Sequence, residues 1–259
     1  MSKDQFVIAC VESAESASIV LPWARHFAER LNHKGLVLLH VSKEETDDSW
    51  LKGLDVPYVS MRGDWQTAIE GIPTAFNGIL AVTVVDASAP RTSLSHPKTL
   101  LHEFKNCKTA YLCVNADTPP STLHTPLSTL LTMTHRREGK EKLVWASYMA
   151  RFLGSNITIA HPDYRDGDLR MRWRNNMRFV DKMFTPFDIN YTSTIAFGDD
   201  LKNLGALDSD LLIARTTDIR ERDLFDLFLP LPEYRLLTHP SRTPILFLNP
   251  RDDLYILCD

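Results

Sequence analysis

A strand–helix–strand pattern occurs twice in this chain. In residues 6–41, a short apolar run (Phe6 to Val11) is followed by Ile19, Val20, Trp23, Ala24, Phe27, Ala28 and Leu31, then by a second apolar run, Leu36–Val41. The three- and four-residue spacing places the middle set on one helical face able to cover a sheet. Two short apolar runs bounded by polar residues fit buried parallel strands, and a helix between them makes a right-handed βαβ unit. The pattern returns at a constant offset: Leu130–Met133 answers to Ile8–Val11, and Trp145, Ala146, Met149, Ala150 and Leu153 answer to Trp23, Ala24, Phe27, Ala28 and Leu31. Ile157–Ala160 then supplies the second strand. A repeat as long as a domain implies duplication, not a solenoid.

The remaining segments follow the same order. Further strands are expected at Val56–Met61, Ile79–Val85 and Ala110–Val114, with short helices over Gln66–Phe76, limited by Pro73, and Thr99–Lys105. In the second half a helix over 168–184 precedes strands at Ile189–Ala196, Asp210–Arg215 and Pro244–Leu248. TAYLCVN (109–115) is echoed by TPILFLN (243–249), and Gly63–Asp64 by Gly198–Asp199. The polar stretch 43–55 is too short for the helix that the second half keeps. The Pro/Ser/Thr-rich segment 117–126 reads as a linker between domains 1–116 and 127–259. Alternating strands and helices imply doubly wound parallel sheets, with ligands outside the carboxyl ends of the strands.

A chain of 259 residues accommodates two cores, and a net charge of −4 gives no reason to expect nucleic acid or an acidic membrane as partner. No apolar run has the length of a membrane span, and MSKDQ lacks a signal-peptide core, so a cytoplasmic setting is expected. Cys10, Cys107, Cys113 and Cys258 show no paired spacing and read as reduced thiols.

VESAESASIVLPWARHFAERLNHKGLVLLHV, with the Gly-Asp turns, the final Pro-Ile-Leu-Phe-Leu strand and the two-copy layout, resembles the universal stress protein family. That resemblance implies two tandem doubly wound parallel five-stranded sheets, strand order 3-2-1-4-5, of the adenine nucleotide alpha hydrolase-like kind. It also implies a dimer-like packing of the halves, with the fifth strands as edges that invite pairing, and a cytoplasmic stress-response role. The family's nucleotide-binding branch carries glycines after the fourth strand, which let backbone N–H groups approach phosphates. Here no glycine lies between Gly78 and Gly139, and none follows Gly205. The Asp of the family's first turn is replaced by Glu12 in one half and Thr134 in the other. The resemblance therefore supports the fold; no cofactor is expected, with ATP or AMP left as the alternative although its motif is absent.

Candidate ligand-binding residues lie at the strand ends: Glu12, Ser13 and Val41 in the first half, and Thr134, His135, Arg136, Arg137, Lys140, Arg215 and Thr216 in the second. The basic turn THRREGKEK between a strand end and a helix start suits a phosphate or carboxylate, or forms a solvated turn or ion pairs with acids. His40 and His161, ending the second strands, read as hydrogen-bonded structural histidines, and the Glu44–Glu45/Asp47–Asp48 cluster as a solvated acidic loop. No Gly-x-Gly-x-x-Gly, Walker loop, nucleophile elbow, His-Glu-x-x-His or catalytic set is present, and no metal site is expected. The apolar cluster Leu224–Leu231 reads as core or packing between the halves, or as a partner surface if exposed. Three functional classes follow: a stress protein acting through protein partners, a small-ligand or nucleotide sensor with a nonstandard cleft, and, with least support, an enzyme. A homo-oligomer is compatible with the tail around Leu254–Leu257.

Overall fold

The computed structural model describes residues 5–32, 34–43, 48–118, 127–135, 140–196, 209–216 and 232–250. These divide into two compact units, residues 5–118 and 127–250.

Unit 1 runs β1 (Phe6–Val11), α1 (Ala14–Arg30), β2 (Gly35–Ser42), a 3-10 helix (Asp48–Gly53), β3 (Tyr58–Arg62), α2 (Trp65–Ala75), β4 (Gly78–Val85), α3 (Pro97–Glu103) and β5 (Ala110–Asn115). Its strands lie in the order β3-β2-β1-β4-β5, all parallel. The two central strands are the most apolar because both faces are covered: Val7 to Val11 and Leu80 to Val85 are buried throughout. Helix α1 packs on β1 and β4 through Val20, Trp23, Ala24 and Phe27. It starts with a capping box, in which Ser13 Oγ accepts from Ser16 N while Ser16 Oγ accepts from Ser13 N.

The Gly63–Asp64 pair has a local explanation. Gly63 turns the chain at φ 150°, a region that disfavours side chains, and its N–H donates to Ser42 O. Asp64 then caps α2, accepting from Thr67 N at 2.8 Å. Its corresponding pair, Gly198–Asp199, lies outside the described residues. Gly78 is required by proximity: a Cβ there would stand 2.4 Å from Ile72 Cγ2.

Unit 2 repeats the order: β6 (Ser128–Thr132), α4 (Lys140–Leu153), β7 (Asn156–His161), α5 (Gly167–Phe184) with a 3-10 turn at Thr185–Phe187, β8 (Tyr191–Ile195), β9 (Leu211–Arg215), α6 (Pro232–Leu237) and β10 (Ile245–Leu248). Its sheet is β10-β9-β6-β7-β8, again parallel, which is the order 3-2-1-4-5 in domain numbering. Buried Leu143, Ala146, Met149 and Leu153 of α4 answer to the buried face of α1. The expected asymmetry is present: α5 has 18 residues, whereas the corresponding place in unit 1 holds the six-residue 3-10 helix, anchored by fully buried Leu51. Helix α2 runs from Trp65 to Ala75, within one residue of the expected Gln66–Phe76, and passes through Pro73 because a proline in the last turn forfeits only one backbone bond. One element differs from the sequence reading. Helix α6, at a proline-interrupted segment, was not expected as a helix; Pro232 opens it, where a missing N–H costs nothing.

Candidate functional site

In unit 1 the site lies where β1 and β4, neighbours in the sheet, release their chains in the same direction. Glu12 leaves β1 and Ser13 starts α1, while the chain after β4 folds back through residues 86–96. Asp86 organises that loop: its Oδ1 accepts from Ser88 N at 2.8 Å and Ser88 Oγ at 2.6 Å, and its N–H donates to Ser95 O at 2.9 Å. The loop then wraps the Glu12 carboxylate. Leu94 N donates to Oε1 at 2.7 Å, Ser95 N to Oε2 at 3.4 Å, and Ser93 Oγ to Oε2. A carboxylate gathered by two backbone amides and a hydroxyl is an anion in an amide nest. That anion is part of the chain itself.

Val41, at the end of β2, is buried and pairs with Met61 of β3, so it forms wall and not a polar contact. His40 before it donates from Nδ1 to Val11 O at 3.0 Å, and its Nε2 lies 3.3 Å from Asp48 Oδ1. Trp50 stands edge-on to the ring at 5.4 Å between centroids. His40 thereby joins β1, β2 and the 3-10 helix. The described thiols of unit 1 are shut off: burial pushes Cys10 and Cys113 up and raises Cys107 to about 12, and Cys107 Sγ donates to Thr109 O at 3.2 Å.

In unit 2, β6 and β9 are the neighbouring strands, so the turn at Thr134–His135 and the segment Arg215–Thr216 leave the sheet side by side. The main chain of that turn is fixed by α5 and by the segment before it. Asn176 Nδ2 donates to Thr134 O at 2.8 Å, and Tyr164 Oη accepts from His135 N at 2.9 Å and lies 3.0 Å from its Nδ1. Thr216 turns to β10, its Oγ1 donating to Asn249 Oδ1 at 2.7 Å and its N to Leu248 O at 2.9 Å. Lys142, buried on the first turn of α4, donates to Thr132 O at 2.5 Å and Oγ1 at 3.0 Å. Lys140 opens α4. Arg136 and Arg137 lie outside the described residues, as do Glu44–Asp47, the cluster 224–231 and the tail from 251. His161 is a packing residue, its ring 4.3 Å from Trp173 and its Nδ1 3.0 Å from Pro162 O.

Sequence reasoning identified the strand ends but not Ser93, Leu94, Ser95, Tyr164, Asn176 or Lys142. Only the Ser-rich run SLS gave any signal, and it does not reveal a partner more than eighty residues away. Among the described residues, no group of three or more His, Cys, Asp or Glu is placed to hold a metal ion, and no helix is long and apolar enough to cross a membrane.

No protein-family model and no curated protein matches the sequence. Solved structures match along almost its full length. A universal stress protein from Archaeoglobus fulgidus DSM 4304 superposes with a TM-score of 0.65 at 10% identity, covering 96% of this chain and 99% of that one. A protein assigned to the universal stress proteins in Pseudomonas aeruginosa UCBPP-PA14 gives 0.60 at 14% identity, covering 98% and 96%. The chain has the universal stress protein fold. The cytoplasmic domain of a prokaryotic cation chloride cotransporter shares it too, with a TM-score of 0.60 at 12% identity over 98% and 100%. At such identities the universal stress protein fold is common to proteins of different employment.

Proposed function

We propose that the chain is a non-enzymatic, universal stress protein-like component of the stress response, acting in the cytoplasm through protein partners and without tight binding of ATP or AMP in unit 1. One observation carries the last part of this reading, the absence of tight nucleotide binding in unit 1: the Glu12 carboxylate occupies the amides of Leu94 and Ser95 in the loop after β4. A phosphate entering that loop would have to displace a bound carboxylate and pay its desolvation again, on a backbone without glycine to let it closer. The likeness to a transporter's cytoplasmic domain supports the cytoplasmic setting.

Calorimetric titration with ATP, AMP, phosphate and sulfate tests the proposal. The expected result is no micromolar ATP binding attributable to unit 1. Micromolar binding abolished by substitutions within residues 87–108 would overturn it.

A small-ligand or adenine-nucleotide sensor is the second reading, and it belongs to unit 2. What favours it is the adjacency of the Thr134–His135 turn and Arg215 at neighbouring strand ends, with Arg136, Arg137 and Lys140 next in sequence. The same titration separates the two, because unit 2 binding would survive changes in 87–108. We further propose that the halves form an intramolecular pseudo-dimer through β5 and β10. In its own unit each is the last strand of the sheet and each is apolar, the kind of edge that proteins cover.

A further inference from the structure

The solvent face of α5 carries a row of cations that the reading above leaves unused. Arg170, Arg174, Arg178 and Lys182 recur every fourth residue and all four are exposed. Residues four apart on a helix form one ridge, with about 6 Å of rise between members, so the row extends about 18 Å. Arg172 is exposed on the next ridge, one turn after Asp168.

Little within unit 2 neutralises this row. Arg170 is held by Tyr164 O, to which its Nε and Nη2 donate at 2.9 and 2.8 Å. Among the described residues Arg178 reaches only the amide oxygen of Asn175, at 3.3 Å. Arg172, Arg174 and Lys182 have no ion-pair partner among the described residues. Asp181, beside Lys182 in sequence, turns its carboxylate to β8, where it accepts from Tyr191 Oη at 2.8 Å. Met171, 57% exposed, stands one helical turn before Arg174 and gives the ridge a single apolar contact. The helix thus concentrates five cations against two carboxylates in a chain of net charge −4.

We propose that this ridge docks an acidic helical segment of a protein partner, an inference that rests on the reading that the chain acts through protein partners. A helix with carboxylates at every fourth residue repeats the same 6 Å spacing, and guanidinium forks match carboxylates in bidentate pairs. Other polyanions fit less well. Single-stranded nucleic acid needs exposed aromatic platforms beside the cations, and the aromatics of α5 are half-buried (Trp173, Phe179) or buried (Phe184). An anionic membrane attracts such a helix by charge but holds it in the interface through buried apolar area, of which the exposed face of α5 offers one Met.

The test uses the full chain and four labelled probes: an alanine-based peptide with Glu at every fourth position, a peptide of the same composition with its Glu residues in one block, a single-stranded DNA oligomer, and vesicles containing phosphatidylserine. Anisotropy or co-sedimentation at about 0.1 M salt keeps screening realistic. The ordered peptide is expected to bind about tenfold tighter than the block peptide. Arg174→Glu/Arg178→Glu abolishes the difference, and Arg174→Gln/Arg178→Gln weakens it, with circular dichroism verifying the fold of both. Lys105→Glu/Lys108→Glu makes the same charge change on unit 1 and leaves binding intact. Equal binding of the two peptides, equal loss in both charge-reversed proteins, or tighter binding of DNA or vesicles than of the ordered peptide overturns the proposal. Failure here does not touch the calorimetric result for ATP, and micromolar ATP binding in unit 1 would not move the peptide result.

Discussion

Glu12 shows what one side chain does when its environment is assembled from a distant part of the chain. Its carboxylate satisfies Leu94 N, Ser95 N and Ser93 Oγ. Glu12→Ala leaves all three without that acceptor, and an unsatisfied half-buried donor costs about 1–3 kcal/mol. Urea unfolding should therefore show a loss of about that size for Glu12→Ala and a smaller one for Glu12→Gln, which keeps an acceptor oxygen. An unchanged midpoint for Glu12→Ala would mean that water replaces the carboxylate without cost. From the sequence, Glu12 was legible only as a candidate at a strand end. Its role was not, because hydrogen bonds spanning eighty residues leave no local pattern. Ser13 was likewise read only as a ligand-binding candidate, and the structure makes it the N-cap of α1, a role that closes within three residues.

Elements were more legible than contacts, since each is set by its own periodicity. The βαβ repeat, the strand order and the missing second helix of unit 1 follow from apolar spacing and resemblance to a known fold. The short α6 was missed because six residues make too few turns to show a helical period. The link between α5 and β8 belongs to this scale as well. Tyr191 donates to Asp181, and burial first, then that carboxylate, raises its phenol to about 12. A folded-state value above the unfolded one favours the protonated form in the fold. The contribution is therefore complete below about pH 10 and is lost as pH rises toward 12. In a spectrophotometric titration of the native protein Tyr191 should ionise in the late step, and Tyr191→Phe should lower the amplitude of that step by one tyrosine. If the late amplitude is unchanged in Tyr191→Phe, the link between α5 and β8 does not have this role.

For the whole molecule, the proposed pairing of the fifth strands has a measurable signature. In a strand that ends a sheet, alternate amides point away from its neighbour and exchange quickly unless something covers them. Amides of both orientations in Ala110–Asn115 and Ile245–Leu248 should then exchange slowly in the intact chain. Fast exchange of every second amide in both strands would rule the pairing out.

The uneven helices of the two units also fix valency. Unit 2 presents the 18-residue α5 where unit 1 has only the 3-10 helix Asp48–Gly53. A fold made twice thus displays its cationic ridge once. A partner that reads α5 meets one copy per chain, binds with one-to-one stoichiometry, and gains no avidity from the duplication.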